Sequence, residues 1–294
     1  MGAAECKPEG CVCPKAGNAD NEVVAPSQMV KVFMKTPAFA TKRPTYIFED
    51  GARYTGEWQG SLRHGQGTHV EADGSMYEGQ WVEDKAHGWG KLQHSDGASY
   101  EGEWRLSMKH GTGTYLHADS SKYIGQWVDD SQQGSGTEEW SDGAKYMGQY
   151  MAGKKNGTGK YLWSNGSYFE GQFVDNDIHG VGLYVWGDGC TYDGAWVRQQ
   201  MDGFGKFAYP DGRMYEGEYS ANVKHGRGVF TWPDGRQYDG LWENGEQHGA
   251  GKWSEGGKQT SGVWHKGNLL SDENAQVIGE RSTTVIRPSG PGDK

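Results

Sequence analysis

The sequence predicts an all-β protein: an elongated antiparallel single-sheet array of about nine β-hairpin repeats of 23 residues, with flexible N- and C-terminal tails. Three observations predict it. An aromatic residue recurs every 23 residues, at Tyr54, Tyr77, Tyr100, Tyr123, Tyr146, Phe169, Tyr192, Tyr215 and Tyr238. Glycine stands two positions after each, from Gly56 to Gly240, and a second ring two positions after that, at Trp58, Trp81, Trp104, Trp127, Tyr150, Phe173, Trp196, Tyr219 and Trp242. Every unit is punctuated by a Gly-x-Gly pair such as Gly65/Gly67 and closes on Asp-Gly or a near variant, as at Asp73-Gly74 and Asn165-Gly166.

Each element follows from these slots. Tyr54-Thr55-Gly56-Glu57-Trp58 alternates ring, polar, glycine, polar, ring, the period of two that defines a strand with one aromatic and one solvated face. A helix would scatter the rings around its axis and lose about 1 kcal/mol at each interior glycine. Gly, Asn and Asp tolerate the positive φ of tight hairpin turns. The glycine inside each strand makes room for a ring from a neighbouring strand to lie across bare backbone. One repeat cannot bury its own aromatic face, so stability has to come from stacking on the next repeat. Two strands per unit at about 4.8 Å give roughly 9.6 Å per repeat and an array on the order of 85 Å long. Degenerate units should cap it: Tyr46-Ile47-Phe48-Glu49-Asp50-Gly51 reads as half of an upstream hairpin, and Val263-Trp264 as a shortened last one.

Composition agrees. The chain has 294 residues, of which 49 are Gly and 13 Trp, but only 34% are hydrophobic and the mean hydropathy is -0.87. A disordered chain would be poor in rings, whereas this one must use them.

At this point YTGEW at Tyr54, YEGQW at Tyr77, YEGEW at Tyr100 and YDGLW at Tyr238, each followed by a histidine-glycine turn and then Asp-Gly or a near variant of it, resemble the MORN (membrane occupation and recognition nexus) repeat. The resemblance covers about residues 46 to 266; Gln133, Asn156 and Asp202 depart from it in the histidine slot, and Phe169 in the leading Tyr slot. It implies an elongated antiparallel structure and a tethering role of the kind played by junctional membrane scaffolds, ciliary and radial-spoke components and cytoskeletal organisers. It also implies phospholipid binding, which charge tests. Residues 1–45 carry six basic and four acidic side chains and residues 266–294 four of each, leaving -12 on the array out of -10 overall. That balance repels phosphate head groups and nucleic acid, so no nucleic-acid partner is expected.

The domain organisation is accordingly an N-terminal tail, residues 1–45, the array, 46–266, and a C-terminal tail, 267–294, with a short element expected from Leu269 to Ile278. The first tail carries the anchoring signals. Gly2 is placed for myristoylation, Cys6, Cys11 and Cys13 for palmitoylation, and Lys31, Lys35, Lys42 and Arg43 form a basic membrane-proximal segment interleaved with apolar residues. The spacing of the three cysteines does not suit a metal site, and no cofactor is expected. No run approaches the roughly 18 apolar residues of a membrane-spanning helix, and no signal-peptide pattern is seen, so the cytoplasm is the expected compartment.

No nucleophile elbow, metalloprotease helix or phosphate loop is present, and an enzyme is not expected. The six histidines His64, His87, His110, His179, His225 and His248 read as turn residues hydrogen-bonding their own hairpins, and paired acids such as Glu101 and Glu103 as a solvated face. Cys190 reads as a packed thiol. The expected function is a non-enzymatic scaffold or adaptor joining the cytoplasmic face of a membrane, through the acylated tail, to a cytoskeletal, ciliary or motor-associated protein. The partner-binding aromatic face is expected at Tyr54, Trp58, Tyr77, Trp81, Tyr100, Trp104, Tyr123, Trp127, Tyr192, Trp196, Tyr215, Tyr238 and Trp242 where the twisted sheet leaves rings exposed. One alternative is a soluble ciliary or cytoskeletal assembly subunit without a lipid anchor, forming homodimers through the terminal edge strands at Tyr46 to Phe48 and Val263 to Trp264. Another is a phosphoinositide-linked regulatory module, which needs a catalytic domain larger than the C-terminal tail.

Overall fold

Sheet pairing follows chain order. The computed structural model describes residues 40–270, and within them twenty-one strands, from β1 (Thr41–Ile47) to β21 (Asn268–Leu269), form one open antiparallel sheet without a helix. β2 (Arg53–Gln59) lies between β1 and β3 (Leu62–Val70), β4 (Met76–Val82) pairs with β5 (Lys85–Gln93), and the series runs on to β20 (Lys258–His265), which pairs with β21. The sheet begins at Thr41, so Lys42 and Arg43, assigned by sequence to the tail, lie on its first strand.

The turns inside the hairpins explain the tight register. At Glu83-Asp84, Asp129-Asp130 and Asp175-Asn176 both residues have positive φ, the backbone of two-residue turns whose twist matches the flanking strands. Asp and Asn tolerate this conformation best among residues with a side chain. They also join one repeat to the previous one. Asp84 donates its N–H to the Arg63 carbonyl at 3.0 Å, and its Oδ1 accepts the Arg63 N–H at 2.8 Å. The same exchange links Asp130 with Lys109, Asn176 with Lys155 and Asn222 with Met201.

Glycine runs straight across the sheet. Gly56 faces Gly67 within a hairpin, Gly67 faces Gly79 in the next, and the row continues without a break to Gly251 facing Gly262. Tyrosine rings lie in this trough. The ring that covers Gly56 and Gly67 is Tyr54, which belongs to the same strand as Gly56 and not, as the sequence suggested, to a neighbouring one. The reason is reach: Tyr54 points to the same face as Gly56 two residues on, and without side chains there its phenol lies flat along its own strand and over the next. Its hydroxyl then donates to the Glu57 carbonyl at 3.0 Å, a bond repeated from Tyr77, Tyr100, Tyr123, Tyr146, Tyr192, Tyr215 and Tyr238 to the residue three places on.

The two glycines of each Gly-x-Gly pair have different tasks. Gly67 lies under the ring, whereas Gly65, with φ +71°, forms a bulge between Gly56 and Trp58 on the partner strand. The bulge strips the next N–H of its strand partner, and a side chain replaces it. Glu57 accepts the N–H of Gln66, Gln80 that of Trp89, Glu103 that of Thr112 and Gln126 that of Ser135. Glu103 therefore closes a bulge and is not simply a solvated acid, while Glu101 stays on the surface 3.9 Å from the Lys91 amine. Ala195 and Leu241 fill this slot without an acceptor.

Candidate functional site

The first series of rings is interior. Tyr54 meets Trp58 at 5.0 Å and Trp81 of the next repeat at 5.5 Å, nearly perpendicular in both cases, and the edge-to-face chain continues to Tyr238 and Trp264 at 5.1 Å. Each such pair adds about 0.5–1.5 kcal/mol beyond burial. Indole N–H groups fasten the chain to the sheet: Trp81 donates to the Gly67 carbonyl at 3.1 Å, Trp104 to Gly90 at 3.0 Å, and Trp127, Trp196 and Trp242 likewise to the repeat before. Trp58, first in line, has a buried Nε1–H with no partner.

This placement corrects the expected partner-binding face. Tyr54, Tyr100, Tyr123, Tyr192, Tyr215 and Tyr238 are 0% exposed, and Trp58, Tyr77, Trp81, Trp104, Trp127, Trp196 and Trp242 no more than 7%. They are the core, because each ring is covered by the Trp-slot ring of the following repeat. Burial raises the phenol of Tyr192 to about 12, and those of Tyr77 and Tyr219 higher still.

A second series of rings is half-exposed. It lies at the end of the second strand of each hairpin and one residue beyond that end, fifteen and seventeen positions after the leading ring: Tyr161 and Trp163, Tyr184 and Trp186, Phe207 and Tyr209, Phe230 and Trp232, with Trp140 and Trp253 at the ends of the series. The rings touch in succession. Trp140 stacks on Tyr161 at 5.3 Å, Tyr161 meets Trp163 at 4.6 Å, Trp163 meets Tyr184 at 5.0 Å, and the contacts run through Tyr184–Trp186 at 4.4 Å and Trp186–Phe207 at 5.3 Å to Trp232–Trp253 at 5.0 Å. All but Phe230 remain partly open to solvent. The same slots in the first repeats hold His69 and Glu71, Leu92 and His94, and Tyr115 and His117, so this ribbon belongs to the C-terminal half. A 23-residue column through Trp140, Trp163, Trp186, Tyr209 and Trp232 was visible in the sequence, but it is broken in the early repeats, where the leading-ring column is complete.

Cations line the ribbon. Lys155 lies 4.8 Å from the Trp140 ring, Arg213 4.6 Å from Tyr209 and Lys224 4.7 Å from Phe230. Three of its four cations are neutralised beside it: Lys155 by Glu138 at 3.4 Å, Arg213 by Asp211 and Arg236 by Asp234, both at 2.7 Å. Burial lowers the Lys224 amine below the ordinary lysine range and raises the Tyr161 and Tyr209 phenols. The surface is thus aromatic, nearly neutral, and supplied with indole N–H donors at Trp163, Trp186 and Trp232 that have no acceptor among the described residues.

The other expected residues are placed as follows. Gly2, Cys6, Cys11, Cys13, Lys31 and Lys35 lie outside the described residues. Lys42 and Arg43 lie on β1, where Arg43 donates to the Gly60 carbonyl at 2.7 Å and covers the Trp58 ring at 5.6 Å. Among the described residues β1 pairs only with β2, and its other edge carries Lys42, Arg43 and Pro44, residues that discourage addition of another strand. The histidines do not all bond their own hairpins: buried Nδ1 atoms of His64, His87 and His110 lack a hydrogen-bond partner, His110 lies 3.5 Å from Asp129, and His248 Nε2 lies 3.2 Å from the Glu243 carboxylate. Cys190 sits in a turn, with its N–H held by Asp188 at 2.9 Å. Among the described residues no group of three or more His, Cys, Asp or Glu could hold a metal ion.

The model of the MORN repeat family matches nine consecutive segments, residues 54–76, 77–99, 100–122, 123–145, 146–168, 169–191, 192–212, 215–235 and 238–254. No curated protein matches the chain. Among solved structures, the chain is similar to the TCP domain of Drosophila melanogaster SAS-4 (dCPAP) in complex with a proline-rich motif of Ana2 (dSTIL), at 12% identity over 69% of this chain and 92% of that one, with a TM-score of 0.30. It is also similar to a mutant TCP10 domain of Danio rerio CPAP, at 15% identity over 68% and 94%, with a TM-score of 0.27. At these scores the two likenesses carry no argument.

Proposed function

The chain belongs to the MORN repeat family, whose repeats generally form non-catalytic binding and scaffold modules, and from that premise we propose that it is a non-enzymatic adaptor that holds a protein partner on the half-exposed ribbon between Trp140 and Trp253. The observation that carries this reading is the contrast between the two ring series. The first is sealed in the core, while the second leaves a contiguous aromatic surface with unpartnered donors, the kind of surface that supplies binding energy. The partner class suggested by the family resemblance is cytoskeletal, ciliary or motor-associated protein. The test is affinity capture with the wild-type chain and with Trp163→Ala/Trp186→Ala. The reading expects the double variant to melt some degrees lower, because four ring contacts go, yet to keep its sheet circular dichroism at the assay temperature and lose the proteins captured by wild type; an unchanged set of captured proteins contradicts it.

The adaptor's second arm is the membrane. Gly2, Cys6, Cys11 and Cys13, followed by Lys31 and Lys35, support acylation and docking on an anionic cytoplasmic leaflet, with Lys42 at the root of the sheet. Arg43 is committed to Trp58 and Gly60 and adds less to lipid contact than its sequence position suggests. Intact mass of the chain made in eukaryotic cells checks this arm: one or more acyl additions with membrane fractionation are expected, and an unmodified N-terminus in purely soluble fractions removes it.

A further inference from the structure

The geometry points to a proline-rich segment in the polyproline II conformation as the occupant of the aromatic ribbon, an inference that rests on the ribbon being the partner surface. Three features select this class. The first is pitch. Adjacent repeats are displaced by two strands, about 9.6 Å, and a polyproline II helix advances about 9.3 Å in its three-residue turn, so every third residue meets an equivalent ring pair with a slip of about 0.3 Å per repeat. An α-helix advances about 10.5 Å in seven residues and falls out of step by roughly 0.9 Å per repeat.

Hydrogen-bonding character is the second. The ribbon offers donors, the indole N–H groups of Trp163, Trp186 and Trp232, which recur at the same slot and have no acceptor among the described residues. Proline-rich backbone is the complementary partner, because it presents carbonyl acceptors and lacks N–H groups that need acceptors in return. Third, the sheet has no free edge along the ribbon. The strand carrying Tyr161, Lys154–Leu162, is paired on both sides, so a partner cannot dock by adding a β-strand and must bind through rings and solvated carbonyls. The neutralised flanking cations add no preference for a charged segment.

The test is fluorescence anisotropy of the full chain with labelled oligoprolines of six, nine, twelve and fifteen residues, beside a Gly-Ser peptide and a leucine-heptad helical peptide of similar span. The ribbon is on the order of 40 Å long, which about thirteen polyproline II residues cover. The dissociation constant should fall at least threefold with each added turn up to twelve residues and then level off. Trp163→Phe/Trp186→Phe, which keeps the rings and removes two donors, should weaken the twelve-residue peptide at least fivefold with an unchanged melting temperature. Absence of oligoproline binding, or binding without the length steps, overturns the inference. If the helical peptide binds instead and loses affinity in the Trp163→Ala/Trp186→Ala variant, the ribbon stands as the partner surface and only the polyproline occupant falls.

Discussion

The ring of Tyr100 occupies the volume that a β-carbon on Gly113 would need. Gly113 has no positive φ, so its identity is dictated by this ring and not by backbone conformation. Gly113→Ala should therefore destabilise the array by about 3 kcal/mol, the upper end of the range for forcing bulk into a packed site. Gly97→Ala, at a turn with φ +94° and open space around it, should lose about 1–2 kcal/mol, the cost of a left-handed backbone to a residue with a β-carbon. Urea unfolding followed by tryptophan fluorescence separates the two, and equal effects would contradict the steric account.

The bulge acceptor gives a pair of opposite predictions. Gln126→Ala strands the Ser135 N–H, now held at 2.8 Å, and should lose about 1 kcal/mol. Ala195→Gln should gain about 0.5–1 kcal/mol by giving Phe204 the acceptor that other repeats have. The urea midpoint is the readout, and a loss on Ala195→Gln would show that the bulge at Gly203 is shaped differently for another reason.

Phe169 is the one leading ring without a hydroxyl. Its Cζ sits over Gly171 and Gly182 as the tyrosines sit over theirs, so Phe169→Tyr should bring a hydroxyl to the Gln172 carbonyl and stabilise by about 0.5–1.5 kcal/mol. A lower melting temperature would mean that this slot is closed to the extra oxygen.

Alkaline pH should unfold the array cooperatively. Burial raises the core phenols, Tyr192 and Tyr238 to about 12 from 10.0. A group whose folded pKa is raised gives stability that is whole below its unfolded pKa and is lost as pH climbs toward its folded value. Stability should then be flat through neutrality in this respect and fall steeply between pH 10 and about 12, with several tyrosines acting together. Tyrosinate absorbance rising in step with loss of sheet signal is the expected result, and full ionisation with the sheet intact is the contrary one.

Much of this fold was legible because a period of 23 residues and an alternation of two leave little freedom. Strands, turns, caps and the special role of glycine all follow from Tyr54, Gly56, Trp58 and their copies. What the pattern withheld was which rings are covered. Tyr146 and Tyr161 face each other across one hairpin and share a face, so alternation cannot rank them. The bulge at Gly157 and the edge-to-face packing of Phe173 on Tyr146 decide that Tyr146 is sealed while Tyr161 keeps access to solvent. The task of Glu103 was hidden for a similar reason, since its partner N–H lies nine residues away across a bulge whose register the sequence does not state.

Hydrogen exchange, read by mass spectrometry on the wild-type chain and on Gly113→Ala, tests most directly whether rings over bare glycine relay stability from one hairpin to the next. Protection should collapse in residues 77–145, the repeats that touch the altered ring, and persist in residues 215–254. Uniform loss along the whole array, or protection unchanged at the altered repeat, would contradict it.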